Sequence, residues 1–140
     1  MSYETDLMTS VAELLDALGI GEWKPAGAYE DSSEPMIVIR DVPDTERPLI
    51  TLSTYPVTDS WGWDDTVTGL QVRVRCPGSN PTDADDLDSV IYDVLHGMHG
   101  TELGRHRISK IGRASGASLG KDENERWARS SNYYVHGPRN

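Results

Sequence analysis

The second half of the sequence follows one compact order of strand, helix, strand and strand. Residues 67–76 alternate apolar and polar side chains, which is typical of a half-buried strand. Residues 81–97 predict a helix, with a proline and aspartates at its start, an apolar stripe along it and a glycine at its end. Strands are then predicted over 107–115 and 126–135. This order favours a sheet with at least one helix packed against it.

The first half adds a second helix and two short strands. Residues 4–18 carry apolar side chains at helical spacing, with a serine placed to cap the start and a glycine just past the end. Residues 19–35 are rich in Gly, Pro, Ser and acidic residues and predict a connecting loop without an assigned role. Strands are predicted over 36–40 and 49–55, joined by an exposed hairpin loop at 41–48.

Together these elements predict a single α+β domain over residues 1–140. A chain of 140 residues is long enough to bury a core without disulfide bonds. The predicted elements suggest a two-layer sandwich, in which a mixed β-sheet of about five strands carries two helices packed on one face.

Cysteine content and hydropathy indicate where such a chain is made. The single Cys76 excludes an intramolecular disulfide, and the polar, acidic N-terminal stretch is unlike a signal peptide. No apolar run reaches the ~20 residues that a membrane-spanning helix needs. We therefore expect synthesis in a reducing cytoplasm and no membrane partner.

The formal net charge of −10 is unevenly divided along the chain. Residues 1–99 carry 5 Lys/Arg and 19 Asp/Glu, whereas residues 100–140 carry 8 and 4. The acidic majority argues against nucleic-acid binding as the main role, because phosphate contacts require clustered cations. Opposite charges on two parts of a chain suit subunits that meet head to tail, although ordinary solubility explains the same numbers.

No arrangement of residues predicts catalysis, a metal site or a cofactor. The aspartates around Asp83 stand where the helix dipole favours anions, and no Gly-punctuated calcium loop surrounds them. His96 and His99 are three residues apart, but Gly97 ends the helix between them, so an exposed loop is the better interpretation. The rival hypothesis is a small metal-dependent hydrolase that uses the two histidines and the Asp83 cluster.

Aromatic and basic residues are the candidates for protein contacts. The chain has no Phe, and two of its tryptophans flank a glycine in an acidic loop, where they could anchor an interface. Three arginines between residues 105 and 113 share the parity of a regular strand, so they are expected on one face. No aromatic side chains interleave with them to stack bases, which disfavours specific nucleic-acid binding. The candidate interface residues are Trp61, Trp63, Arg105, Arg107, Arg113, Asp122 and Arg126.

Six segments follow one another from about residue 49 to residue 135: ITLSTYP, GLQVRVRC, DLDSVIYDVLHG, RISKIGRAS, LGKDENER and SSNYYV. In this order they resemble the minor capsid or tail terminator proteins of long-tailed bacteriophages. The N-terminal LLDALG fits the same pattern, whereas the loop between residues 19 and 36 shows no family signal.

This resemblance implies a structural role in the virion, at the head–tail junction. Proteins of the family form a homo-oligomeric ring, expected here to be a hexamer, at the head-proximal end of the tail tube. The ring stops tube polymerisation and presents a surface to the head connector, and DNA passes through it. The implied partners are other copies of the chain, the tail tube protein and the head connector or head-completion protein. The family implies no catalytic residues, and synthesis would take place in the cytoplasm of a bacterial host.

A neighbouring role in the same particle stays open. A head-completion or connector adaptor is also a small α+β ring subunit, so the sequence does not separate it from a terminator. In a terminator, some loop must exclude a further tube subunit. The two candidate segments are the loop that holds Trp61 and Trp63 and the turn at 116–125.

Overall fold

The computed structural model describes residues 2–62 and 64–139. Within these residues, no helix is both long and apolar enough to cross a membrane. The elements of the described chain are, in order, α1 (Tyr3–Ala17), β1 (Glu22–Trp23), β2 (Met36–Ile39), β3 (Leu49–Thr58), β4 (Thr66–Cys76), α2 (Asp83–Leu95), β5 (His99–Leu103), β6 (His106–Lys121) and β7 (Trp127–Gly137).

The strands form one mixed sheet in the order β1-β2-β3-β4-β7-β6-β5. β1 pairs in parallel with β2, and β2 with β3, whereas all the other neighbours are antiparallel. The last strand, β7, lies between β4 and β6 and pairs with β4 over its whole length. The α+β class therefore holds.

The predicted two-layer sandwich with about five strands is wrong. The sheet of the described chain has seven strands and curls, so that Ile108 and Ile111 of β6, which differ in parity, are both buried in the core. Sequence reasoning missed β1 because it has only two residues, and β5 because HGTEL shows no apolar alternation. His99 accordingly begins a strand and does not lie in the predicted loop.

The connection between β2 and β3 is not the predicted hairpin loop. Because the two strands are parallel, residues 40–48 must return along the sheet before β3 begins. The buried Arg75 donates to the carbonyl oxygens of Pro43 at 2.6 Å and Thr45 at 3.5 Å. Arg75 has the opposite parity to the core residue Val74, so this connection covers one end of the sheet face that points away from the core.

Both helices pack on one face of the sheet. On β4, Leu70, Val72 and Val74 are fully buried on this face, while Gln71 and Arg73 are half-buried on the other. Burying each larger apolar side chain contributes about 1.5–3 kcal/mol, which holds the helices to the sheet. The helical residues of the core are Leu7, Met8, Val11, Ala12, Leu15, Ala84, Ile91 and Leu95.

Local signals set the helix ends. The hydroxyl of Ser2 accepts a hydrogen bond from the backbone N–H of Thr5 at 3.1 Å and so caps α1, while Gly19 follows the helix with a φ of 75°. α2 begins with acidic residues from Asp83 onward, and Gly97 follows its end with a φ of 88°.

Candidate protein interface

The outer edge of β6 is unpaired over most of its length. β5 pairs with β6 only as far as Lys110, so β6 continues alone as the border of the sheet. We call residues 111–121 the β6 edge. Its other side pairs with β7, with bulges at Ala114 and Leu119. From residue 114 to residue 119 every residue is exposed, so nothing in the described chain covers this part of the border.

Only the start of the β6 edge is capped. The N–H of Gly97 donates to the carbonyl oxygen of Ile111 at 2.9 Å. The N–H of Arg113 donates to Nδ1 of His96 at 3.0 Å. In an antiparallel pair, residues that bond to the partner alternate with residues whose backbone groups point away. When this alternation is followed through the two bulges, the N–H and C=O groups of Gly116, Ser118 and Lys121 point away from β7.

The opposite edge of the sheet is protected against pairing with a further strand. β1 is only two residues long. Just after β2, Arg40 has a φ of 58°, and its guanidinium donates to Oγ1 of Thr54 at 2.8 Å and to the Thr54 carbonyl at 3.3 Å. Two residues further along β3, Pro56 has no N–H to offer. Short strands, charged residues and prolines are the usual protection of an edge against further pairing.

The face of the sheet away from the helices, which we call the open face, carries a row of polar side chains. The hydroxyl of Tyr55 donates to Oδ1 of Asn132 at 3.3 Å, and Nε2 of Gln71 donates to the same oxygen at 3.4 Å. Nδ2 of Asn132 donates to Oγ of Ser115 at 3.1 Å. The row therefore crosses β3, β4, β7 and β6. The ring of Tyr55 lies over Gly69, where an added Cβ would be 2.3 Å from ring atoms.

On the covered face, Asp88 ties α2 to the sheet. Its side chain is 2% exposed, and its carboxylate accepts hydrogen bonds from Nε of Arg129 and Oγ of Ser131, both at 2.9 Å. Arg113 approaches the same carboxylate at 3.6 Å and lies over the ring of Tyr92, 4.3 Å from its centroid. The structure thus places the interface candidate Arg113 against α2, with its side chain 32% exposed.

Sequence reasoning missed Asp88 because it treated the aspartates of this helix as capping and solvated. The position nevertheless carried a signal. Asp88 lies four residues after Ala84 and three before Ile91, both buried, so it falls on the apolar stripe of α2. A carboxylate buried on such a stripe requires a charged or hydrogen-bonding partner.

The three arginines predicted on one face lie in three different surroundings. Arg105 lies in the turn between β5 and β6, and its Nε donates to Oδ2 of Asp6 in α1 at 2.6 Å. This hydrogen bond is the main reason why the pKa of Asp6 is lowered. Nε2 of His106 lies 3.2 Å from the same oxygen, although not in hydrogen-bonding geometry. Arg107 is exposed on β6, and the third arginine faces α2 as described.

Asp122 and Arg126 shape the turn between β6 and β7. Nε of Arg126 donates to Oδ2 of Asp122 at 2.8 Å, and its NH1 group donates to Oδ1 of Asp44 at 2.7 Å and to the Thr45 carbonyl at 3.2 Å. Desolvation acts to raise the pKa of Asp122, but hydrogen bonds from the backbone and side chain of Arg126 hold it below its usual value. Arg126 is only 6% exposed, so it joins this turn to the 40–48 connection.

Trp61 is 84% exposed, the largest exposed fraction among the large apolar side chains of the described residues. It lies in the loop between β3 and β4, next to a shallow cavity of about 500 Å³ that Asp59, Asp64, Asp65 and Arg139 help to line. An apolar ring in such a position is a candidate anchor for a protein partner. Trp63 lies outside the described residues.

The residues of the hydrolase hypothesis lie apart. Asp83 begins α2 and His96 follows its other end, so about 20 Å of helix separates them. His96 stacks on Tyr92, with 4.6 Å between ring centroids, and His99 belongs to β5. Across residues 2–62 and 64–139, no group of three or more His, Cys, Asp or Glu side chains is placed to hold a metal ion.

The division of charge along the sequence becomes a division across the sheet. β6 and the turn before it carry Arg105, Arg107, Lys110, Arg113 and Lys121. The connections beside β1, β2 and β3, at the other side of the sheet, carry Glu30, Asp31, Glu34, Asp41, Asp44 and Glu46. The division is incomplete: Glu102, Asp122, Glu123 and Glu125 flank β6, Arg40 and Arg47 follow β2, and two aspartates of α2 pair with Arg129. One side of the sheet is therefore richer in basic residues and the other in acidic residues.

A comparison with known families decides the identity of this fold. Residues 14–137, which include the whole sheet, match the model of a family described as bacteriophage tail terminator protein. The chain belongs to the bacteriophage tail terminator family. This match confirms the resemblance inferred from the sequence. The chain is therefore a structural protein of the phage virion and a component of the tail.

A solved structure has the same fold as this tail terminator family member. The chain is similar to one chain of the "Virion of native gene transfer agent (GTA) particle", with 12% sequence identity and a TM-score of 0.55. The similarity covers 74% of this chain and 78% of that chain. At such a low identity the likeness concerns the fold. No curated protein matches the sequence.

Proposed function

We propose that the chain forms a homo-oligomeric ring at the head-proximal end of the tail tube, ends the polymerisation of the tube and joins the tail to the head connector. The observation that carries this proposal is the match to the tail terminator family over residues 14–137. The role is one of assembly, without catalysis.

The charge distribution supports ring formation. A cyclic ring is built from heterologous contacts, in which one patch of a subunit meets a different patch of its neighbour. The basic β6 and the acidic connections beside β1–β3 lie on opposite sides of the sheet. Charge complementarity between such patches steers subunits together and sets their register.

The two ends of the sheet support a role between two unlike partners. The loop that holds Trp61 follows β3 at one end, where Thr66 is paired with Gly137. The turn that holds Asp122 lies at the other end, where Cys76 is paired with Trp127. We infer that these are the surfaces toward the tail tube and the head connector.

Electron microscopy of particles from a phage with a stop codon in this gene tests the proposal. We expect tails of uncontrolled length beside filled heads that lack tails. Normal-length tails that fail to join heads would instead indicate a head-completion adaptor. Particles indistinguishable from the wild type would refute a role at this junction.

A further inference from the structure

We propose that the β6 edge of one copy pairs with residues 27–34 of the neighbouring copy, which add to the sheet as an extra strand. We call residues 27–34, between β1 and β2, the acidic segment. The inference rests on the proposed function, because it names the contact that links successive subunits of the ring.

The β6 edge has the properties of a strand acceptor. Gly116, Ser118 and Lys121 direct backbone donors and acceptors away from β7. The side chains from Ala114 to Ser118 are small and exposed, so another backbone can approach closely. Addition of an extended segment to such an edge is a common mode of protein recognition. The opposite border is protected by Arg40 and Pro56, so protection is confined to one side.

The acidic segment has the properties of the added strand. It has no regular secondary structure, and it is exposed over most of its length. Arg47 fixes it at two points, by donating to the carbonyl oxygens of Glu30 at 2.8 Å and of Glu34 at 2.9 Å. Between these points the described chain makes no backbone–backbone hydrogen bond with residues 31–33. Their backbone groups are available to a partner strand.

Charge and topology together select a second copy as the occupant. Glu30, Asp31 and Glu34 are complementary in charge to Lys121 at the end of the free border, which also pairs with Glu125 at 2.6 Å. The acidic segment lies beside β1 and β2, across the sheet from β6. Each copy therefore uses one surface for one neighbour and the other surface for the next, which is the arrangement that closes a ring.

Disulfide trapping tests the contact in assembled tails. Phage carrying the stop codon is complemented with a Ser118→Cys/Ser32→Cys double variant, and the purified tails are oxidised and run on a non-reducing gel. We expect a ladder of cross-linked species larger than dimers, because each copy contributes to two contacts. The native Cys76 is buried and does not compete. A Ser32→Cys/Thr101→Cys variant, with its second cysteine on β5, is the matched control and should give no ladder.

Two outcomes of the trapping experiment would overturn the proposal. Dimers from Ser118→Cys alone, with no larger species from the double variant, would show two β6 edges meeting about a two-fold axis. Absence of any cross-link in tails that have normal length and contain the double variant would show that the β6 edge faces no acidic segment.

Proline substitution tests whether assembly into tails requires the unpaired backbone N–H groups of the β6 edge. The N–H of Ser118 points away from β7, so Ser118→Pro removes a backbone donor from the free border. It also removes the hydroxyl that accepts from the N–H of Gly120 at 3.4 Å, a loss that Ser118→Ala shares and controls for. Ala117 alternates with Ser118 and faces β7, so Ala117→Pro should lower the melting temperature, whereas Ser118→Pro should leave it nearly unchanged. We expect folded Ser118→Pro protein to be lost from tails and to leave them overlong.

The outcomes of this experiment separate the inference from the function on which it rests. Normal tails complemented by folded Ser118→Pro protein would refute strand addition while leaving termination intact. Tails of normal length from the uncomplemented stop-codon phage would refute termination itself.

Discussion

Asp88 of α2 and Arg129 of β7 form an ion pair with 2.9 Å between Oδ2 and Nε, and the carboxylate side of the pair is almost completely buried. Ser131 donates to the same carboxylate, and Arg113 approaches it from β6. The helix is therefore attached to two strands through one side chain, in addition to its apolar stripe.

Replacing Asp88 by alanine should destabilise the fold, because it leaves two arginines without their buried partner. Removing one member of a buried pair costs about 3–5 kcal/mol, and the partial exposure of both arginines brings our expectation down to about 2–3 kcal/mol. Urea unfolding measures the change. Asp86→Ala, on the exposed side of the same helix, is the control and should change the free energy by less than about 0.5 kcal/mol. Equal midpoints for the two variants would contradict this account of α2.

Arg47→Met should loosen the acidic segment without unfolding the core. Arg47 holds the carbonyl of Glu34 and pairs with Glu22 at 3.2 Å, and each lost hydrogen bond costs about 1 kcal/mol. The amide of Glu22, bonded to the carbonyl of Pro35 at 2.8 Å, should therefore exchange at least about ten-fold faster with deuterium. Amides of β4 and β7 should keep their rates. Arg107→Met is the exposed control, and a matching acceleration in that variant would show that the effect does not depend on these bonds.

Gly69→Ala should destabilise the chain through Tyr55. The new Cβ would meet the tyrosine ring, which is 38% exposed and can swing aside, so we expect a loss of about 1 kcal/mol. In a Tyr55→Ala background the same change should cost almost nothing, which a double-mutant cycle measures. Gly112→Ala is the control, because its nearest neighbour would be 3.9 Å away. Additive effects of Gly69→Ala and Tyr55→Ala would rule out this cause.

The contact between Asp6 and Arg105 predicts a dependence on pH. The hydrogen bond from Arg105 lowers the folded-state pKa of Asp6, so its stabilisation is present above the unfolded pKa and is lost as the pH falls through the folded one. Asp6→Asn should cost at most about 1 kcal/mol at neutral pH, because Arg105 is 77% exposed, and less at an acidic pH near the folded-state pKa of Asp6. Thermal unfolding at both pH values measures this, with Glu13→Gln as the exposed control. The same loss at both pH values would show that charge is not the cause.

Local features of the fold were predictable because they depend on neighbours in sequence. The cap at Ser2, the glycine stop after each helix and the alternation of Leu70, Val72 and Val74 are all present in the structure. Each follows from a periodicity or a terminal signal within a few residues. The family resemblance, which also rests on short segments, is confirmed for the same reason.

Features that depend on distant residues were not predictable. The parallel pairing of β2 with β3, and the pairing of the two-residue β1, require partners that no local pattern names. Asp88 and Arg129 are 41 positions apart in the sequence, and neither alone indicates the other. The buried Arg47 stands in a segment predicted as an exposed loop, and the buried Arg126 stands at the start of a predicted strand. Their carbonyl and carboxylate partners become visible only in the fold.

β7 lies between β4 and β6, although it is the last strand in the sequence. Before it is in place, β1–β4 can pair among themselves and β5 can pair with β6, but β4 and β6 each expose a long unsatisfied border. Translation proceeds from the N-terminus, so both borders stay open until residues 127–137 have left the ribosome. Completion of the sheet thus needs pairing between segments that are distant in the sequence, which is slow. A chain whose proposed task is to end a polymer is consequently most prone to aggregate while it is still nascent.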